Sequence, residues 1–212
     1  MSKKDENENE RECKLVFVGE SSVGKTSLII QYIKNIFEGG NILTVGADKF
    51  SKELTLEDST KIDLVIWDTA GQERFRSLNT IFLKGANIVL MVYDITNKQS
   101  FEELRNFWYQ MVVEKVNGKF ILGIAGNKSD LYESSQVTLE EGQNYAKSVN
   151  AIFSETTAIN LNSIQELINS LVREYNEKIL KIQKKKKEED KSKTLINEKF
   201  EKKKKCCNNS NK

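Results

Sequence analysis

The chain has 212 residues, 38% hydrophobic and 30% charged, with a net charge of +2, no histidine, no proline and three cysteines. Without histidine there is no Ser-His-Asp or Cys-His catalytic system and no zinc site built on imidazole; three cysteines furnish neither a four-cysteine zinc site nor a disulfide framework. The small net charge hides an asymmetry, since residues 1–12 carry −2, residues 178–212 carry +9 and the middle carries −5, which is a basic appendage for an anionic surface on an acidic body.

Residues 1–12 are polar and acidic, lack the apolar stretch of a signal peptide, and are predicted to be a disordered arm. No apolar run reaches the length of a membrane span, so a soluble protein of a reducing compartment is expected. Residues 13–182 read as one folded unit and 183–212 as a flexible basic tail. The first strand is predicted over Lys14–Val18, followed by a helix over Lys25–Asn35. Lys49–Glu57 alternates apolar and polar residues and suits an edge strand. Ile62–Trp67 and Ile88–Tyr93 are nearly continuous apolar runs, as expected of strands buried on both faces. A helix over Phe101–Val116, a strand over Phe120–Ala125, a helix over Leu139–Asn150 and a strand over Ala151–Phe153 follow. The last helix is predicted over Ser163–Ile182, where Ile164, Leu167, Ile168, Leu171, Tyr175, Ile179 and Ile182 recur at helical spacing. The expected fold is α/β: a six-stranded, mostly parallel sheet with one antiparallel edge strand and helices on both faces. In such sheets ligands bind at the carboxyl ends of the strands.

Three motifs fall at those ends. Gly19-Glu20-Ser21-Ser22-Val23-Gly24-Lys25-Thr26 fits G-x-x-x-x-G-K-[ST] between a buried strand and a helix, the phosphate-binding loop of a P-loop NTPase. Its glycines permit a loop whose backbone N–H groups face phosphate oxygens, reinforced by the positive end of the helix. Ser21, Ser22, Val23, Gly24, Lys25, Thr26 and Ser27 are the candidate phosphate contacts; the Lys25 ammonium reaches the β- and γ-phosphates and the Thr26 hydroxyl ligates Mg²⁺. Second, Trp67–Glu73 starts at the end of another buried strand. Asp68 there can hold Mg²⁺, Gly71 lets the backbone approach a γ-phosphate, and the Gln72 amide can orient an attacking water. Third, Asn127-Lys128-Ser129-Asp130 follows the strand Phe120–Ala125. The Asp130 carboxylate can accept hydrogen bonds from N1–H and the exocyclic amine of guanine, donors that adenine lacks at those positions, so such a site rejects the wrong base.

In this order, Gly19–Thr26, Thr44, Asp68–Gln72, Asn127–Asp130 and Glu155–Ala158 resemble the Ras superfamily of small GTPases. Trp67–Leu78 (WDTAGQERFRSL), Val92–Thr96 (VYDIT) and Cys206-Cys207 resemble its Rab branch. The resemblance covers residues 13–182 and the end of the tail. It implies that Thr44 ligates Mg²⁺ and senses the γ-phosphate, that Phe37 packs against the guanine edge, and that Gly71 is the second γ-phosphate sensor. It also implies that the Ala158 backbone N–H contacts the guanine O6, that Thr157 flanks the base, and that Ile159 covers it where the family often has lysine or leucine. GTP would then tether two switch segments and GDP would release them. With no arginine identifiable as an in-cis finger, slow hydrolysis aided by a GTPase-activating protein is expected.

The same resemblance makes Cys206 and Cys207, preceded by the basic run Lys202–Lys205, a double prenylation site. Two lipids anchor stably where one is marginal. It implies a monomer served by an exchange factor, a GDP-dissociation inhibitor, an escort protein and effectors, acting in vesicle trafficking on the cytoplasmic face of endomembranes, Golgi or endosome, and in cytosol. Lys14–Thr26 and Leu54–Leu78 resemble Golgi-retrograde members; Gly19–Ser21 and Tyr145–Ala151 resemble early-endosomal ones. Nucleic acid is not an expected partner, because no aromatics interleave the lysine runs. Two other classes stay open on sequence. One is a nucleotide-locked scaffold that binds GTP but barely hydrolyses it. The other is an ATP-using P-loop kinase or ATPase, against which Asp130 argues.

Overall fold

In a computed structural model, residues 10–37, 47–69 and 76–178 are described. The chain divides into a unit of Met1–Tyr175 and a second of Asn176–Lys212, and the fold below belongs to the first. Its strands are β1 (Glu10–Val18), β2 (Ala47–Thr55), β3 (Lys61–Thr69), β4 (Ile88–Asp94), β5 (Ile121–Asn127) and β6 (Ile152–Glu155). Its helices are α1 (Lys25–Lys34), α2 (Arg76–Leu83), α3 (Lys98–Glu103), α4 (Tyr109–Lys115), α5 (Leu139–Ser148) and α6, which in this unit covers 161–175. The strands lie in the order β2-β3-β1-β4-β5-β6. β2 pairs antiparallel with β3 at one edge, and every other pairing is parallel. The expected architecture is therefore the observed one.

Side-chain alternation along the strands builds two cores, one on each face. From β1, Cys13, Leu15 and Phe17 point to one face, where they meet Ile88, Leu90 and Val92 of β4, Leu28, Ile29 and Tyr32 of α1, and Ile164, Leu167, Ile168 and Leu171 of α6. Val16 and Val18 point to the other, with Val89, Met91 and Tyr93 of β4 and Phe101, Leu104, Trp108 and Val112 from the α3–α4 region. Each wholly buried aliphatic side chain contributes about 2 kcal/mol. Because both faces are covered, all seven residues of β4 and of β5 are buried, which is why Ile88–Tyr93 reads as an unbroken apolar run. Cys13 is buried, its thiol pushed up to about 12 by desolvation, so it behaves as a small apolar side chain rather than a nucleophile.

Several boundaries differ from the sequence-based expectation. β1 begins at Glu10, so residues 10–12, read from sequence as part of the arm, are strand: they pair with Lys61–Asp63 at the start of β3. Composition alone does not reveal a polar strand end whose order comes from its neighbour. The helix expected from Phe101 begins at Lys98, where the Asn97 side chain accepts from the Ser100 N–H, an N-cap interaction. That helix also contains a π turn, Leu104–Trp108, in which the Tyr109 N–H bonds the Leu104 carbonyl five residues back. α5 starts at its expected residue behind a capping box, with the Glu141 N–H donating to Thr138 Oγ1 and the Thr138 N–H donating to Glu141 Oε2. α2, eight residues long, and a 3₁₀ turn over Ser129–Ser134 were not foreseen, each being too short for a sustained periodicity to stand out. No helix among the described residues is long and apolar enough to cross a membrane.

Candidate nucleotide-binding site

The loop between β1 and α1 has a conformation that only its glycines allow. Gly19 has φ +146°, and a Cβ there would lie 2.2 Å from the Val92 carbonyl oxygen of β4. Gly24 has φ +95°, and its Cβ would lie 2.3 Å from Asn127 Nδ2. Both conditions exclude an ordinary side chain. The loop thus rests directly on the carboxyl ends of β4 and β5. Inside it, Lys25 is buried and its Nζ donates to the Gly19 carbonyl at 2.9 Å and the Glu20 carbonyl at 2.8 Å. Burial lowers the ammonium to about 8, opposed by the charges of Asp68 and Glu20. A desolvated cation held by neutral carbonyls is complementary to an incoming anion, which restores what burial costs it.

Beside this loop stands an oxygen pair. Thr26, the second residue of α1, donates its hydroxyl to Asp68 Oδ2 at 2.6 Å. Asp68 is wholly buried near the end of β3, where Thr69 donates to the Phe17 carbonyl at 2.6 Å and ties β3 to β1. A hydroxyl and a carboxylate are the hard donors that Mg²⁺ takes, with the remaining positions left to water and phosphate oxygens. Among the described residues no group of three or more His, Cys, Asp or Glu could hold a metal. Thr26 and Asp68 offer two such donors, which fits Mg²⁺ that keeps most of its positions for water and phosphate.

The third motif is held at the ends of β5 and β6. Asn127, almost wholly buried, donates Nδ2 to the Val23 carbonyl of the phosphate loop at 2.8 Å and accepts from Thr156 Oγ1 at 3.2 Å. One amide side chain thereby joins three loops. Thr156 is fixed in turn by its N–H to the Gly126 carbonyl and by its own carbonyl, which accepts from the Ser129 N–H. Asp130 Oδ1 accepts from Thr157 Oγ1 at 2.5 Å, and the same hydroxyl accepts from the Ile159 N–H at 3.1 Å. The Asp130 loop and the 156–159 loop are consequently one hydrogen-bonded body. Lys128, at φ +65°, pairs its ammonium with Asp94 Oδ2 at 2.6 Å. Asp94 ends β4 in register with Asn127, and its Oδ1 accepts the N–H and hydroxyl of Thr96. Ala158 is buried, whereas Phe37 and Ile159 each expose about half of their surface, leaving apolar area free to cover a flat ligand.

Of the residues singled out in the sequence, bonds link Val23 to Asn127, Thr26 to Asp68, Asp130 to Thr157 and Thr157 to Ile159; none of the bonds described joins Ser21, Ser22, Ser27, Phe37 or Ala158 to them. Thr44, Gly71, Gln72, Cys206 and Cys207 lie outside the described residues. Asp94 and Thr156 lie in the quoted stretches Val92–Thr96 and Glu155–Ala158 but were given no role of their own there, although both stand at or just past the carboxyl ends of sheet strands, where ligand sites collect. Sequence reasoning missed the link between Trp108 and Glu20, 2.9 Å from indole Nε1 to carboxylate Oε1. No local signal relates residues 88 positions apart.

Comparison with known proteins adds an independent finding. A family model described as Ras family matches residues 14–177. Over 162 residues the chain is 42% identical to the Ras-related protein Rab-17 of Mus musculus, covering 76% of this chain and 74% of that protein. Over 161 residues it is 38% identical to the Ras-related protein RABF2b of Arabidopsis thaliana, covering 76% of this chain and 80% of that protein.

Proposed function

The chain belongs to the Ras family and is a Rab-type small GTPase, a hydrolase of GTP, and on that premise we propose how its residues divide the work. The backbone N–H groups of residues 21–27 and the Lys25 ammonium hold the phosphates. Thr26, Asp68 and Thr44 would hold Mg²⁺, which when bound would offset the charge of the phosphates. Asp130 reads the guanine amine and N1–H, Asn127 and Lys128 brace that loop, Thr157 and Ala158 line the base, and Phe37 and Ile159 cover it. Gln72 orients the attacking water, and Thr44 and Gly71 report the γ-phosphate to the two switch segments. One observation carries the reading: Asn127 locks the phosphate loop to both base loops through Val23 and Thr156, so phosphate and base are gripped by a single rigid frame. The deciding experiment is Mg²⁺-dependent binding and single-turnover hydrolysis of GTP in competition with ATP. GTP preference with slow turnover is expected. Equal competition by ATP would favour a P-loop ATPase or kinase, and binding without turnover a nucleotide-locked scaffold.

The switch makes a second expectation. Thr26→Asn removes the hydroxyl that meets Asp68 and gives a protein biased to GDP or to no nucleotide. Gln72→Leu slows hydrolysis at least about tenfold and accumulates the GTP form. Equal capture of effectors by both variants in pull-downs would sink the two-state reading.

For the tail we infer an anchor: prenyl groups on Cys206 and Cys207, with Lys202–Lys205 at anionic headgroups, place the protein on the cytoplasmic face of endomembranes, Golgi or endosome. There it works as a monomer in vesicle trafficking with an exchange factor, an activating protein, a GDP-dissociation inhibitor, an escort protein and effectors. Replacing both cysteines by serine should leave GTP binding intact and shift the protein wholly to the cytosolic fraction. Replacing one leaves weak, reversible association. Wild-type sedimentation of the double variant with membranes would remove lipidation from the account.

A further inference from the structure

Resting on the nucleotide-binding reading above, we propose that Trp108 is a positioning residue for the phosphate loop. Its indole N–H holds the Glu20 carboxylate aside, so that the Lys25 ammonium meets phosphate instead of a carboxylate of its own loop. Glu20 sits at the second position of that loop. Its carbonyl accepts from Lys25 Nζ at 2.8 Å while its carboxylate accepts from Trp108 Nε1 at 2.9 Å. One residue thus touches the Lys25 ammonium by its backbone while its carboxylate is bonded to the indole.

The need for such a device follows from electrostatics. A flexible carboxylate five residues from a buried ammonium is its natural partner. A Glu20–Lys25 ion pair would compete directly with the β- and γ-phosphates for the same cation. The indole N–H is a donor with no acceptor capacity, so it can fix a carboxylate without supplying a rival charge. Trp108 is wholly buried, and Phe107 stands edge-on to it at 5.3 Å between ring centroids, so the ring is held in place. It is also the last residue of the π turn Leu104–Trp108. Single π turns inside helices recur at functional sites, and here the turn carries the residue that bonds the phosphate loop from the α3–α4 region.

The test is a double-mutant cycle on full-length protein, read as the dissociation rate of a fluorescent GDP analogue in Mg²⁺. Trp108→Phe keeps an aromatic ring and deletes the donor. In the Glu20 background it should accelerate release about tenfold, the worth of a hydrogen bond to a charged group. In a Glu20→Gln background, which has no carboxylate to compete for Lys25, the same change should accelerate release less than about twofold. Equal acceleration in both backgrounds would show that the indole acts by packing alone and would overturn the proposal, as would no acceleration in either. Should Trp108→Phe fail to fold, judged by its thermal transition, Glu20→Asp serves instead. Its shorter side chain cannot reach the indole and frees a carboxylate within the loop, so release should again accelerate about tenfold; a wild-type rate would overturn the proposal. If the wild-type protein shows no Mg²⁺-dependent binding of the analogue, the failure lies with the nucleotide reading itself and is seen before any variant is made.

Discussion

Asp130→Asn should lower GTP affinity about a thousandfold while raising affinity for xanthosine triphosphate. Two hydrogen bonds to a charged acceptor are at stake, each worth about 1.5–3 kcal/mol. The substituted amide sets a donor against the guanine amine, but xanthine carries a carbonyl there and can accept from it. The frame should survive the change, because the bond from Thr157 Oγ1 to Asp130 Oδ1 needs only an acceptor and an amide oxygen provides one. The discriminating measurement is therefore the ratio of the two nucleotides in equilibrium competition against a labelled diphosphate. A parallel loss of both would mean that the 156–159 loop had collapsed; unchanged GTP affinity would remove Asp130 from the base site.

Two glycine substitutions that look alike in sequence should fail in different ways. At Gly19 an added Cβ meets the Val92 carbonyl oxygen at 2.2 Å, backbone in the middle of the sheet that cannot step aside. Overpacking and the cost of φ +146° then act together, and Gly19→Ala should destabilise the protein by about 4 kcal/mol, much of the stability of an ordinary domain. At Gly24 the obstruction at 2.3 Å is Asn127 Nδ2, a side chain that can swing away at the expense of its bond to the Val23 carbonyl. Gly24→Ala should therefore cost less stability and more nucleotide affinity, since it uncouples the phosphate loop from the base loops. Urea unfolding at a fixed, saturating nucleotide concentration alongside binding constants separates the two outcomes. The assignment of roles is wrong if Gly19→Ala unfolds at the wild-type midpoint, or if Gly24→Ala binds as tightly as wild type.

What the sequence determined by itself was whatever is written in local periodicity and in contiguous motifs. Strands buried on both faces announce themselves as unbroken apolar runs, as β4 does, and α6 by its apolar stripe. The alternation of Lys49–Glu57 marked β2 as an edge strand because only one of its faces meets the core. The glycines of 19–24 foretold a phosphate loop because a positive φ and a close backbone approach leave no other residue type. Short elements, α2 and the 3₁₀ turn, offered too few residues for a period to stand out, and the order of residues 10–12 comes from pairing with β3. Only the tertiary structure decided which motifs touch. The meeting of Thr26 with Asp68, 42 positions away, and the bracing of Lys128 by Asp94 depend on the strand order β3-β1-β4-β5. So do the Asn127 link to Val23 and the hold of Trp108 on Glu20, since hydrogen bonds act over about 3 Å and the chain alone does not say which distant residues the sheet will bring that close.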